Sequence, residues 1–400
     1  MSNRSRPPTA AQDDDPVAAC TREALRLMHE NLGPHGFLAA SPGAGARSRG
    51  YDRVFGRDAA ICAIAAARSG DAKLAAGAKR SLRTLAAHQA KNGQIPKYVD
   101  PETDSADFWY LGCIDATLWW LIAVHRVAQH LGEPAFEQRL KGRIKRALDW
   151  LACQEHQQIF LLQQNEASDW ADIMPRSGFV LYSNALWYLV KRLYRLPHAE
   201  DTHHHFNFLF HPFSGHLPEY RRLRLLMHYV RNRTRNRDLN LSFVNLGQWG
   251  DEGDVFGNLL ALLCGLADDH RANRILRAVA HNQADAAHPV RVSCTPIARD
   301  HPLWRTYMGR HRQNMEYRYH NGGIWPFVGG FWVMALAVAG KDRQAAAELE
   351  KLARANAVGN WEFNEWFNGQ SGRPEGMPRQ TWNAATFLLA QQSMRDGSFL

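Results

Sequence analysis

Two carboxylates of this 400-residue chain stand in strongly aromatic surroundings. Asp172 follows Trp170 by two residues, and Glu365 lies between Phe363 and Trp366 in the run WEFNEWFNG. Rings packed around a carboxyl group disfavour its charged form and raise its pKa, as a proton donor working near neutrality requires. A second, ionised carboxyl group can activate water or attack carbon, and the two together do the chemistry of glycosidic bond cleavage. Residue type alone leaves Asp169, Glu166, Asp251, Glu252 and Glu362 as competitors for either role. Asp58 and Asp115 stand near expected helix starts, where capping is the bland explanation.

The same stretches concentrate indoles. Of thirteen tryptophans, Trp119, Trp150, Trp187 and Trp332 fall on apolar helix faces and read as core. Trp109, Trp170, Trp249, Trp304, Trp361 and Trp366 fall between helices, with Trp325 and Trp382 just past the connections. Solvent-facing rings beside polar groups suit a ligand with apolar faces and a rim of hydroxyls, which describes a sugar.

Helices must position these residues, because apolar spacing of period 3.6 recurs almost everywhere and period-2 alternation is nearly absent. The spacing predicts helices over 15–31, 56–69, 71–91, 113–131, 134–153, 180–194, 219–236, 254–267, 270–283, 323–339, 341–356 and 380–395. Asp254 stands where a helix should start, and Gly33 and Gly70 stand where helices should stop. Short connections alternate with long ones, and short ones force antiparallel neighbours, so six long connections emerge at one end. Only the link over 195–218 breaks the rule by being long at the other end. Long loops are uncommon in compact domains unless functional. The expected architecture is all-α, an (α/α)6 barrel made of six helical hairpins, filling 15–400 as a single domain behind a disordered 1–14 tail. An irregular solenoid is disfavoured because no fixed-period repeat is visible.

Composition narrows the alternatives. Hydrophobic residues make up 45% and charged residues 22%, which excludes a mainly disordered chain. There is no run of 18 apolar residues and no apolar core near the N-terminus, so neither a membrane helix nor a signal peptide is expected. Six scattered cysteines without a CxxC pair point to a reduced, cytoplasmic protein. The net charge of +9 owes much to seven arginines over Arg221–Arg237. They share a helical stretch with Leu223, Leu225, Leu226, Tyr229 and Val230, so a solvated face is expected rather than nucleic-acid binding. His203-His204-His205 has no Cys or carboxylate at ligand spacing and reads as a loop tract, not a metal site. No metal or cofactor is called for, and a small carbohydrate is the expected partner.

Several segments resemble the six-hairpin glycosidases. Trp170-Ala171-Asp172, Pro175-Arg176-Ser177-Gly178 and Asn184-Ala185-Leu186-Trp187-Tyr188 resemble the WxD…PRxG…NALWY segment of the debranching-type (amylo-α-1,6-glucosidase-like) α-glucosidases. Phe55-Gly56-Arg57-Asp58 is similar to their (W/F)GRD segment. His320-Asn321-Gly322-Gly323 with Trp325-Pro326 is similar to the HNGGxWP of those enzymes and of the alkaline/neutral invertases. Phe363-Asn364-Glu365-Trp366, with Gly369, Gly372, Gly376 and Gln380-Thr381-Trp382, resembles the segment around their second carboxylate. The resemblance spans roughly residues 50–395 and implies inverting hydrolysis of an α-glucosidic bond, with Asp172 as general acid and Glu365 as general base. It implies that Arg57, Asp58, Asp115, His320, Asn321 and Gln380 hold sugar hydroxyls, with Trp170, Trp325 and Trp382 as apolar walls. Tyr51 and Arg176 complete the candidate binding set. Debranching enzymes carry an additional N-terminal domain that grips the polymer, for which 400 residues leave no room, so a short oligosaccharide or glucoside is expected. The invertases match less closely around the acid, which makes sucrose the second candidate substrate and a non-catalytic sugar-binding relative a third reading.

Overall fold

The computed structural model describes residues 15–108, 113–213, 224–234, 236–282 and 287–400. Its helices are α1 (Pro16–Glu30), α2 (Ala44–Arg49), α3 (Gly56–Arg68), α4 (Ala72–Ala87), α5 (Ile114–His130), α6 (Pro134–Arg139), α7 (Lys141–Ala152) and α8 (Leu181–Leu193). They continue as α9 (Ala199–Phe210), α10 (Arg224–Arg233), α11 (Val255–Leu263), α12 (Asp269–His281), α13 (Pro326–Val338), α14 (Asp342–Trp361) and α15 (Thr381–Asp396).

Packing sorts them into two concentric rings. α3, α5, α8, α11, α13 and α15 each touch the next, and α15 returns to α3, closing an inner ring. Outside it, α4 backs α3, α6–α7 back α5, α9 backs α8, α12 backs α11, α14 backs α13, and α1 backs α15. This is the (α/α)6 toroid. Burial follows from position: α3 buries Gly56 to Ala67 without a break and α13 buries Pro326 to Ala337, because helices in the inner ring have neighbours on every side. Outer helices keep one apolar stripe, as in α12, where Ile275, Leu276, Ala278 and Val279 are buried. Small residues let inner helices approach closely: a Cβ on Gly330 of α13 would lie 2.7 Å from the Thr386 side chain of α15.

Five of the six inner helices run into their outer partners through turns of three to five residues, whereas α1, which backs α15, comes first in the chain. Six long links return from the outer ring: 31–55, 88–113, 153–180, 211–254, 282–325 and 362–380, here links one to six. All six inner helices therefore start at the same end, under these links. The exception expected at 195–218 does not hold, because α9 occupies half of that stretch and pairs with α8. His203–His205 accordingly lie in a helix rather than a loop. The helix expected over 219–236 appears as α10 within link four, and residues 214–223 and 235 fall outside the described residues. The helix expected over 134–153 is split at Leu140. On α10, Met227 and Val230 are buried while Tyr229 is exposed, a solvated helix with one apolar face.

The links are tied together by strands of two or three residues, too short for period-2 alternation to show. Val54 pairs with Val99, joining links one and two, and Phe179 pairs with Val244, joining links three and four. Single bridges join link four to five (Asp254 to Ser293), five to six (Ile324 to Phe367) and six to one (Ala40 to Gln380). The remaining joint is the Ile114 N–H, which donates to the Ser168 carbonyl at 3.1 Å. The loop-bearing end is thus a closed crown of backbone hydrogen bonds. Among the described residues, no helix is long and apolar enough to cross a membrane.

Candidate active site

The crown surrounds a cavity of about 210 Å³. Link one and the start of α3 supply Arg49, Tyr51, Arg53, Phe55, Arg57 and Asp58, and link two supplies Lys97 and Tyr98. Trp170 and Asp172 come from link three, Tyr319, His320 and Trp325 from link five, Glu365 from link six and Trp382 from the first turn of α15. Five of the six links therefore meet at one place.

Glu365 is buried and held by two donors. The Tyr51 hydroxyl donates to Oε1 at 2.6 Å, and the Met377 N–H donates to Oε2 at 2.7 Å. Burial outweighs both and pushes its pKa up to about 7. The backbone at Gly376 has φ +79°, and a Cβ there would lie 2.3 Å from Glu365 Oε2, so only glycine lets the carboxylate keep this position. Asp172 is wetter, with a quarter of its side chain exposed, and its nearest cation is Lys97, Nζ to Oδ2 3.9 Å.

Across the cavity, Arg57 joins two acids. Its Nη1 donates to Asp115 Oδ2 at 2.9 Å, and its Nε lies 3.4 Å from Asp58 Oδ1. Asp115 also accepts from the Tyr182 hydroxyl at 3.2 Å, and that hydroxyl accepts from Trp119 Nε1 at 2.8 Å. Burial pushes Asp58 up to about 6 against the pull of Arg57.

The rings form walls. His320 stacks on Trp325 with centroids 4.8 Å apart and planes within 7°, and Trp170 meets both edge-on. Trp382 stacks on Phe327 at 3.9 Å. Burial, with Arg176 and Arg57 nearby, holds His320 well below the usual histidine pKa, so its ring is neutral. Among the described residues, both His320 nitrogens, Trp170 Nε1, Trp382 Nε1 and Asp58 Oδ1 find no hydrogen-bond partner in the protein. Buried polar atoms are normally satisfied, and these converge on a single cavity.

Not every candidate reaches the wall. Asp115 lies behind Arg57, fully buried, and is a hydrogen-bond acceptor rather than a helix cap. Asp58 lies in the first turn of α3, where Phe55 holds the cap position. Arg176 is 1% exposed and engages Asp254 at 3.2 Å and Glu252 at 3.5 Å. Asp254 holds the cap position of α11 but makes no side-chain cap bond, because it faces that guanidinium. Asn321 accepts from the Ile297 N–H at 2.7 Å and donates to the Ile297 and Asn314 carbonyls, pinning link five. Gln380 donates to the carbonyl of Met377, the residue whose N–H holds Glu365, at 3.3 Å. Asp115, Arg176, Asn321 and Gln380 form the layer that supports the wall, whereas Asp58 lines the cavity. Of the seven described tryptophans at the loop end, Trp170, Trp325 and Trp382 line the cavity, and all three are buried rather than solvent-facing. Trp366 packs against Tyr319, Trp249, Trp304 and Trp361 lie elsewhere, and Trp109 is outside the described residues.

Among the competing carboxylates, Asp169 accepts from the Ala171 N–H and from Gln164, Glu166 pairs with Arg305, and Glu252 accepts from Ser242. The wall residues that no motif marked are Arg49, Gly50, Arg53, Lys97, Tyr98 and Tyr319, of which Tyr319 directly precedes the His320-Asn321-Gly322-Gly323 segment.

A second cavity, about 420 Å³, opens beside the first and is lined by Ala167, Asp172, Ile173, Tyr307, Arg310, His311 and Gln313. Asp172 lines both cavities, whereas Glu365 lines only the first.

Residues 254–397 match the family model for alkaline and neutral invertase. Among curated proteins, the chain is 30% identical over 152 residues to a probable alkaline/neutral invertase D of Arabidopsis thaliana, covering 36% of this chain and 28% of that one. It is 23% identical over 444 residues to a chloroplastic neutral/alkaline invertase 3 of Oryza sativa subsp. japonica, covering 92% of this chain and 72% of the relative. The chain thus matches little more than a quarter of the length of the first two such relatives. Among solved structures, it superposes with a TM-score of 0.64 on a GH63 mannosylglycerate hydrolase from Thermus thermophilus in complex with Tris and D-glycerate. That likeness covers 92% of this chain and 99% of the other at 14% identity, and it carries the fold.

Proposed function

We propose that this chain, with its (α/α)6 toroid and its invertase-family match over residues 254–397, is a six-hairpin inverting glycoside hydrolase acting on an α-glucosidic bond of a short oligosaccharide or glucoside. One observation carries the division of labour. The bond to be cut must lie between a sugar-sized cavity and the space for its leaving group, and Asp172 lines both. This supports reading Asp172 as the group that protonates the glycosidic oxygen, and Glu365, on the wall of the first cavity alone, as the group that takes a proton from water. The water oxygen forms the new bond to the anomeric carbon as the bond to the glycosidic oxygen breaks. Glu365 takes the water proton and Asp172 gives its own to the departing alcohol.

Around the ring, Arg57, Asp58 and neutral His320 offer donors and acceptors to hydroxyls, and Trp170, Trp325 and Trp382 offer apolar faces. The raised pKa of Glu365 requires that it be ionised to act as base, so the reaction gains speed as pH rises through about 7.

Sucrose is the second reading, favoured by the invertase match over residues 254–397. A panel of sucrose, trehalose, isomaltose and glucosylglycerate separates the two, with the anomer of released glucose followed by NMR. Initial release of β-glucose supports inversion, and α-glucose refutes it.

A further inference from the structure

The second cavity differs chemically from the first. The first cavity is walled by three indoles, whereas the second has none and only Tyr307 and His311 as rings. The Tyr307 hydroxyl is already committed to Glu166. It therefore offers no flat apolar platform for a second sugar. Its wall is basic instead: Arg310 and His311 stand exposed at its edge, and Asp172 is its one acid. Arg305, five residues earlier, is bound to Glu166 at 3.1 Å and Gln248 at 2.7 Å, whereas Arg310 makes no ion pair among the described residues.

The backbone presents these side chains in a defined way. The 3-10 helix Thr306–Arg312 breaks at Arg310 (ψ 130°), and His311 and Arg312 both take φ of +55°, which is costly for non-glycine residues. Asn314, fully buried, fastens the segment on two sides. Its Nδ2 donates to the carbonyl of Ile173, beside Asp172, at 2.8 Å, and its Oδ1 accepts from the His320 N–H at 2.9 Å. The basic edge of the second cavity is thus held in register with the acid and with the sugar wall.

We infer that this cavity is the aglycone subsite and that it takes a small, non-sugar aglycone bearing an anion, carboxylate or phosphate, on Arg310 and His311. The inference rests on Asp172 acting as proton donor between the two cavities. It separates this chain's preference from sucrose, whose leaving fructose is a neutral sugar.

The test uses the full chain and the α-glucosyl ethers of glycerate, glycerol phosphate and glycerol, which share a glucosyl group and differ in aglycone charge. The expected result is a kcat/KM for at least one anionic substrate about ten- to a hundredfold above that for the glycerol ether, the range of one charge-assisted contact. Comparison of the glycerate and phosphate arms tells which anion fits. In Arg310→Ala/His311→Ala the ratio should collapse toward one, and Arg310→Lys should restore part of it. Equal or better turnover of the glycerol ether overturns the inference, as does a ratio unchanged in the double variant. α-Glucosyl fluoride, which carries no aglycone to bind, serves as the control. Hydrolysis of the fluoride without hydrolysis of any ether overturns the subsite assignment alone, and failure with all four overturns the hydrolase reading with it.

Discussion

Replacing Glu365 with glutamine should inactivate the protein and stabilise it, and the stabilisation should depend on pH in a defined way. An ordinary glutamate titrates near 4.5, and burial pushes Glu365 up to about 7. The folded chain therefore holds this proton more tightly than the unfolded one. The stability tied to it is complete below about 4.5 and is lost as pH rises through about 7. Fully ionised, the buried carboxylate costs roughly 3 kcal/mol. Glutamine never ionises, and its amide can accept from the Met377 N–H while donating to the Tyr51 oxygen, so both existing contacts keep a partner. The advantage of Glu365→Gln over the parent should grow from under about 1 kcal/mol at pH 5 to about 3 kcal/mol at pH 8.5. For a chain of this length that corresponds to a gap in Tm widening from roughly 1 °C to roughly 4 °C. Calorimetry of both proteins across that pH range reads it directly. A gap that does not vary with pH, or a variant less stable than the parent at pH 8.5, refutes the assignment of a buried, proton-holding Glu365. The parent's kcat/KM supplies the functional half: a limb that rises with pH near 7 fits a base, and one that falls there gives Glu365 the donor's role instead.

Asp172→Asn should lower kcat on a glucoside with an alcohol leaving group by about 10²- to 10⁴-fold, but far less on α-glucosyl fluoride, which needs little protonation. Equal losses on both would remove Asp172 from the donor's role. Tyr51→Phe deletes a bond that favours the ionised carboxylate, so the rising limb should move above pH 7 and the rate at neutrality should fall; an unmoved limb contradicts this. Arg176→Met leaves Asp169, Glu252 and Asp254 without their guanidinium and should cost about 3–5 kcal/mol. The loss should be worst above about pH 6, where Asp254 ionises, and chemical denaturation at pH 5 and 8 measures it. Gly376→Ala should depress kcat while leaving the circular dichroism spectrum intact, because the added methyl group meets Glu365 Oε2; normal turnover would show that the carboxylate has other positions to use.

The ring was legible because loop length alternates, a signal that survives errors in individual helix boundaries. α9 was not, although Phe206, Leu209 and Phe210 carry its apolar face, because the polar run AEDTHHH obscures the period. The strands that tie the crown are too short to have a period at all. Aromatic neighbours and motif resemblance single out Asp172 and Glu365, and both reach the cavity. Depth is what residue type does not encode. Asp115, Arg176, Asn321 and Gln380 are polar groups in or near the loops, like the wall residues, yet each is committed to a partner one layer behind. Lys97 and Tyr98 enter the wall only because a strand pairs Tyr98 with Phe55, a contact no local pattern reveals. The charge of Arg310 was equally hidden, since its significance comes from sharing a cavity with Asp172.

The closed crown has a kinetic consequence. Its last joint links opposite ends of the chain: Asn31 bonds to Thr381, 350 residues away, and the Tyr51 bond to Glu365 spans 314. Such contacts cannot form until the helices between them have been arranged, and the entropy of closing so large a loop must be met before they stabilise anything. Helical hairpins can therefore form early and locally, while the Glu365 carboxylate is seated only when the circle is joined. Recovery of turnover after dilution from denaturant should trail the recovery of helical signal, which makes hydrolysis itself a clock for ring closure.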